Sequence, residues 1–181
     1  KVYLDMAMSL DGFISGPNGE DGGLHDWYFS PSGDAEFVKQ ELLDTMGAMI
    51  LGKRAFSTAP ESDGFDTPYK VPHFILTHTA RETIPRGGME FIFSTDGLEA
   101  TLQKAKAAAG EKDVCVAGGA NTAQQFLQAG LLDELQIHLV PVLMGGGLRL
   151  FGILPKSVKL EKTRTLESAG VTHLRYRVIK H

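Results

Sequence analysis

At 181 residues, 43% of them hydrophobic and 22% charged, the chain is long enough for one domain with a real core and short for two. A formal net charge of −4 without a dense Lys/Arg tract excludes the electrostatic footprint of a nucleic-acid binder and points to small-molecule work. The single cysteine, Cys115, excludes an internal disulfide framework and a cysteine-rich zinc site.

No apolar run approaches the ~20 residues of a membrane span, and the N-terminus runs into a strand pattern without a signal-peptide layout. A cytoplasmic location is therefore the expectation. Residues 2–10 alternate loosely between apolar and small or polar types and predict a first strand, ended by Asp11-Gly12. The glycine-rich stretch 15–32 follows, carrying His25-Asp26-Trp27-Tyr28, and a loop of that length in a compact domain reads as functional. Asp34 is the expected N-cap of a helix whose amphipathic stripe runs through Phe37, Val38, Glu41, Leu42 and Met46.

A short apolar strand at 48–51 ends at Gly52, and a short helix is expected over 53–58, followed by a polar loop over 60–70. Strands are predicted at 73–77 and 89–93. An alanine-rich helix over 97–109, closed by Gly110, comes next. Residues 114–117 form a buried strand, with Cys115 as a small core residue, that empties through Gly118-Gly119 into a helix over 122–129. A strand at 135–142, the loop Gly145-Gly146-Gly147, and a terminal antiparallel hairpin of 158–166 with 171–178 complete the chain. Strands alternating with helices predict an α/β sheet covered on both faces, with parallel pairs in the middle and an antiparallel edge.

The most informative segment is Ala117-Gly118-Gly119-Ala120-Asn121-Thr122. Two glycines allow a ligand to approach the backbone, and the helix start presents unpaired N–H groups with partial positive charge, which suits a phosphate. A tight turn that binds nothing would use the same glycines. Gly52-Lys53-Arg54 and Thr77-His78-Thr79 follow other apolar strands, and ligands in open α/β sheets collect beyond the carboxyl ends of strands. If those strands are neighbours, the three turns converge on one crevice. Lys53 and Arg54 also read as solvated helix charges, and His78 as a surface histidine.

The residues Met8-Ser9-Leu10-Asp11-Gly12-Phe13-Ile14, Ile50-Leu51-Gly52-Lys53-Arg54, Ala117-Gly118-Gly119 and Leu132-Asp133-Glu134-Leu135, running into Pro141-Val142-Leu143-Met144-Gly145-Gly146-Gly147, resemble the dihydrofolate-reductase-like superfamily. Within it, the chain is similar along nearly its whole length to the branch of the reductase domain of bacterial riboflavin biosynthesis. The resemblance implies a three-layer fold with a mixed, mostly parallel sheet and a C-terminal hairpin, NADPH as cofactor, and a homodimer. It implies that Gly118-Gly119, with Ala117, Ala120, Asn121 and Thr122 around them, touch the cofactor pyrophosphate, often through a cis peptide. Gly52, Lys53 and Arg54 would meet the phosphates, and Thr77, His78 and Thr79, with Arg81 as a further cation, the adenosine 2′-phosphate. Ala7, Ile14, Gly16 and Gly19 would flank the nicotinamide.

Hydride transfer to a C=N or C=O bond of a flat heterocycle or sugar-derived carbonyl is the implied chemistry. A proton donor would be worth roughly 10²- to 10⁴-fold. Counting back from Gly52 puts Glu36 near the helix acid of dihydrofolate reductases, with Asp34 as the second candidate; Asp34 also reads as a cap and Glu36 as a first-turn acid. Trp27 and Phe56, with Tyr28 and Phe29, are candidates for a flat substrate slot, or for core. The chain departs from the riboflavin branch after the Gly52 helix, where Ala59-Pro60-Glu61 replaces the usual aspartate-proline pair, which puts the phosphoribosylaminouracil substrate in doubt. A noncatalytic nucleotide-binding or scaffold protein that keeps the fold is the alternative.

Overall fold

The computed structural model describes residues 1–57, 67–152 and 154–180. The expected loop after the Gly52 helix, including Ala59-Pro60-Glu61, lies largely outside the described residues. In chain order the elements are β1 (Val2–Ser9), β2 (Phe13–Ser15), α1 (Asp26–Phe29), α2 (Asp34–Thr45), β3 (Met46–Gly52), α3 (Lys53–Ser57), β4 (His73–Leu76), β5 (Ile84–Arg86), β6 (Met89–Ser94), α4 (Leu98–Ala109), β7 (Asp113–Val116), α5 (Ala120–Gln128), β8 (Glu134–Val140), β9 (Leu148–Arg149), β10 (Leu160–Ser168) and β11 (Val171–Val178).

Nine strands form one sheet in the order β10-β11-β8-β1-β7-β3-β4-β6-β5, and β2 pairs with β9 in a separate ribbon. The pairs from β8 to β6 are parallel, as expected; the hairpin β10–β11 and its contact with β8 are antiparallel. The opposite edge, β5 on β6, is antiparallel too, which the sequence reading missed because β5 has three residues and contains Pro85.

Strand side chains alternate faces, so each central strand feeds two cores. Val2 and Leu4 of β1, Ala48 and Ile50 of β3, and Val114 and Val116 of β7 meet Leu102 and Ala105 of α4 and Ala123, Phe126 and Leu127 of α5. Tyr3 and Ala7, Met49 and Leu51, and Cys115 face the other way, onto Trp27 of α1, Ala35, Val38 and Leu42 of α2, and Phe56 of α3. Cys115 is a buried free thiol, and burial raises its pKa well above the usual thiol value.

Two expectations are corrected in α2. Its N-cap is Gly33, at φ +55, and Asp34 is the first helical residue with no capping hydrogen bond of its own. The buried stripe is Ala35, Val38 and Leu42, whereas Phe37 is exposed with the Arg164 guanidinium over its ring, because only the i, i+3, i+7 face meets the sheet. The helix after the diglycine begins at Ala120, two residues earlier than predicted, and β8 ends at Val140, before Pro141. No described helix is long and apolar enough to cross a membrane.

Candidate functional site

Parallel pairing of β7, β3, β4 and β6 puts their carboxyl ends in a row, and a cleft of about 510 Å³ opens there. Its wall contains Gly52, Lys53 and Arg54 after β3, Thr77 and His78 after β4, and Gly119, Ala120, Asn121 and Thr122 at the start of α5. The three turns singled out in the sequence thus share one cavity. The cleft also takes Ser94, Thr95, Gly97 and Leu98 from the end of β6, Gln125 from α5 and Leu148 from β9. The first four were within reach of sequence reasoning, since β6 ends in the same direction as its neighbours. Gln125 required the helix to start at Ala120, and Leu148 the chain reversal of the β2–β9 ribbon.

The turns are locked to one another. Gly52 N donates to Gly118 O at 2.7 Å and Ala117 N to Ile50 O at 3.0 Å, so the end of β3 and the diglycine form one surface. A Cβ on Gly52 would lie 2.5 Å from Thr122 Oγ1, which leaves no room for another residue at this close approach. The Gly118-Gly119 peptide is cis, and Gly118 holds φ +129. Gly119 has open space where a side chain would be. The first intrahelical bond of α5 runs from Ala123 N to Gly119 O at 3.0 Å, which leaves the N–H groups of Ala120, Asn121 and Thr122 without intrahelical acceptors at the cleft wall. Exposed Lys53 and Arg54 add positive charge. Thr79 lies outside the lining, its N–H donating to Thr77 Oγ1 at 3.1 Å, and Arg81 covers the Phe93 ring.

Of the expected N-terminal residues, none belongs to the wall of this cleft. Ala7 is buried in the β1 core, and Ile14 in β2 packs on the opposite cluster. Gly16 and Gly19 belong to the following turn, where Gly19 N donates to Gly16 O at 3.0 Å. Asp11 fastens this region to the 141–147 loop: it accepts Ser9 Oγ at 2.6 Å, Met144 N at 3.0 Å and Gly145 N at 2.8 Å. The Ser9 hydroxyl, aided by those backbone donors, holds its carboxyl at about 2. A Cβ on Gly147 would fall 2.0 Å from Ser15 O, so the third glycine of that loop is what lets the two loops touch.

The other expected residues lie on the α2 face of the sheet. Trp27 is buried, its ring centroid 4.4 Å from that of His138 and 5.0 Å from that of His173. Phe56 is buried against Phe91 and Phe93, and Phe29 is exposed. Tyr28 Oη donates to Tyr69 Oη at 3.0 Å. Asp34 is half-buried and Glu36 exposed. Among the described residues, no group of three or more His, Cys, Asp or Glu side chains is arranged to hold a metal ion.

A family model described as the RibD C-terminal domain matches residues 1–174. The Bacillus subtilis protein YyaP, whose name describes it as uncharacterized, is 29% identical over 97% of this chain and 94% of its own length. A solved structure from Shewanella sp. PV-4, named for riboflavin biosynthesis, is similar with a TM-score of 0.76 and 27% identity, covering 99% of both chains. Enterococcus faecalis dihydrofolate reductase, solved in complex with NADP(H) and RAB-propyl, shares the fold with a TM-score of 0.63 at 18% identity, over 99% of this chain and 96% of that one.

Proposed function

The chain belongs to the RibD C-terminal domain family, and on that premise we propose that it is a reductase that binds NADPH in the 510 Å³ cleft and reduces a C=N or C=O bond of a small heterocyclic or sugar-derived substrate. The observation that carries the proposal is the meeting of Gly52, the diglycine turn, the α5 N-terminus and two cations on one wall. These residues fit a dinucleotide: glycines leave the backbone open to a pyrophosphate, free N–H groups accept its charge, and Lys53 and Arg54 neutralise the remainder. The dihydrofolate reductase of the same fold was solved with NADP(H), which supports the same choice of cofactor here.

A reduced nicotinamide supplies a hydride when bound; the protein's share is orientation and charge. In this reading Gly118, Gly119, Ala120, Asn121 and Thr122 hold the pyrophosphate, and Thr77, His78 and Thr79 recognise the 2′-phosphate with Arg54. Ala7, Ile14, Gly16 and Gly19 border the nicotinamide, and Trp27 and Phe56 shape the substrate side. The test is a fluorescence titration with NADPH and NADH. Micromolar or tighter binding with a clear NADPH preference is expected, and no binding of either would favour a scaffold role. Charge-assisted hydrogen bonds are worth about 1.5–3 kcal/mol each. Replacing Arg54 and His78 together is therefore expected to shrink the NADPH:NADH affinity ratio by at least about tenfold, and an unchanged ratio would remove both from 2′-phosphate recognition.

Asp34 and Glu36 are the two candidates for the acid of the reaction, and Asp34 has the stronger case. It is half-buried, and its charge reaches His173. With NADPH and dihydrofolate as probe substrate, Asp34→Asn is expected to lower turnover by tenfold or more and Glu36→Gln to change it less than twofold. Two mild effects would dismiss both. A homodimer is part of the proposal on family grounds. The free edge β10 carries Glu161, Lys162 and Arg164, charges that guard an edge against strand pairing, so another face is the better candidate for the contact.

A further inference from the structure

One buried polar cluster is left unused by the cofactor cleft. It runs across four adjacent strands, from the sheet edge inward. Ser168 Oγ of β10 lies 3.0 Å from His173 Nε2 of β11. His173 Nδ1 lies 2.8 Å from His138 Nδ1 of β8, and His138 Nε2 lies 3.0 Å from Asp5 Oδ2 of β1. Both histidines are almost completely buried, at 2% and 3% exposure, and Trp27 packs on both rings.

For neutral rings the contacts fix the proton order. With Asp5 ionised and both rings neutral, only one arrangement satisfies them all: Ser168 donates to His173, His173 to His138, and His138 to the Asp5 carboxylate. Burial lowers the His173 pKa to about 4, which keeps that ring neutral. The charges of Asp5, Asp34 and Arg164 also act on His173. A buried hydrogen-bonded chain of this kind fixes the orientation of its last member.

That last member faces outward. Asp5 retains 18% side-chain exposure, and no hydrogen bond forms to its Oδ1 among the described residues. It lies on the same face of β1 as Tyr3 and Ala7, one strand from β7. Extending the register Leu4↔Val116 by one pair sets Asp5 opposite Ala117, next to the diglycine turn. The following pair is borne out by contact, since a Cβ on Gly118 would sit 3.5 Å from Met6 Sδ. Tyr28 and Tyr69 stand near the same carboxylate; burial raises both phenols first, and the Asp5 charge adds to it.

We propose that Asp5 is the substrate-facing acid of this protein, a carboxylate oriented by the Ser168, His173 and His138 chain that offers its free oxygen to an N–H donor of a flat nitrogen heterocycle. This rests on the reductase reading for the position of the cofactor, and it places the acid on strand β1, in addition to the two acids of α2. His138 and His173 are positioning residues that act through Asp5.

The test is calorimetric titration of 2,4-diaminopyrimidine, a planar nitrogen heterocycle whose amino groups donate N–H, into the protein with and without saturating NADPH. Binding to the native protein is expected, with a loss of tenfold or more in Asp5→Asn while NADPH affinity stays unchanged. His138→Gln, whose amide can still donate to Asp5, is expected to retain more of the binding than His138→Leu; equal losses would reduce His138 to a packing role and overturn the chain. Equal affinity of Asp5→Asn and native protein, or no binding of the probe, would overturn the assignment of Asp5. Loss of NADPH binding in the native protein would instead strike the reductase reading, and is read separately. Should Asp5→Asn fold poorly, the ¹⁵N resonances of the His138 ring in native protein decide: the probe is expected to shift them, and no shift would refute the proposal.

Discussion

Replacing Gly118 with valine is expected to weaken NADPH binding by at least a hundredfold while leaving a folded chain. Gly118 holds φ +129, a backbone conformation side chains avoid, and forcing one into it costs on the order of 1–3 kcal/mol. The space around the new Cβ is otherwise tolerant, because its nearest neighbour, Met6 Sδ, would lie at 3.5 Å. The turn would therefore shift rather than the core collapse. A shift there breaks the surface that Gly52 N and Gly118 O form together at 2.7 Å. Loss of one charge-assisted phosphate contact is worth about 1.5–3 kcal/mol, and misplacing the turn removes more than one. Fluorescence titration checks affinity and circular dichroism checks the fold. Gly119→Ala separates cofactor approach from backbone strain, since Gly119 lacks a positive φ and its Cβ would meet nothing within 4 Å. Weaker binding with unchanged thermal stability in that variant would mean that the cofactor occupies the empty space. Unchanged affinity in both variants would remove the pyrophosphate from this turn.

The second large effect concerns stability. Glu41 of α2 accepts two hydrogen bonds from Arg164, at 2.9 and 2.7 Å, and one from Arg175 at 2.7 Å, which ties the helix to both strands of the terminal hairpin. All three side chains are at most a quarter exposed. Replacing Glu41 with alanine leaves two partly buried guanidinium groups facing each other, with only the long 3.9 Å ion pair of Arg175 to Glu134 as compensation. Removing one partner of a buried pair costs about 3–5 kcal/mol, and partial exposure puts this site near about 3. For a chain of this size that lowers the melting temperature by about 6–12 °C.

Burial alone would raise the Glu41 pKa, but the hydrogen bonds and charges of Arg164 and Arg175 outweigh it, and the folded value lies below the ordinary 4.5. A group lowered on folding stabilises fully above its unfolded pKa, and the gain is lost as pH falls through the folded value. Melting temperatures of native protein should therefore fall below about pH 4.5 more steeply than those of Glu41→Gln. Parallel curves for the two proteins would show that the pair adds no pH-dependent stability.

Much of this architecture is legible in the chain because central strands, alternating with helices, are short apolar runs bounded by glycine. Residues 48–51, 73–77 and 114–117 carry that signal plainly. What sequence missed is short or depends on distant pairing. β2 and β9 are held as strands only by each other, and α1 is a single turn inside a glycine-rich stretch. The stripe of α2 was misread at Phe37 because a helical period alone does not say which of two neighbouring faces meets the sheet. At the candidate site, local chemistry marked Gly52, Thr77, His78 and the diglycine, since each follows an apolar strand at its carboxyl end, where ligands of open α/β sheets collect. The cluster of Asp5, His138, His173 and Ser168 left no such mark. Its members lie as much as 168 positions apart, from Asp5 to His173, and nothing in any one stretch relates them.

By itself, then, the sequence determined which segments form the buried central strands, which turns leave their backbone open and where the family resemblance lies, because these depend on residue type and short-range spacing. Tertiary structure alone decided that the turns face one cleft, that Glu36 points to water while Ala35 points to the core, and that four polar side chains from four strands join in one chain. Those outcomes depend on strand order and register, which come from the packing of distant segments.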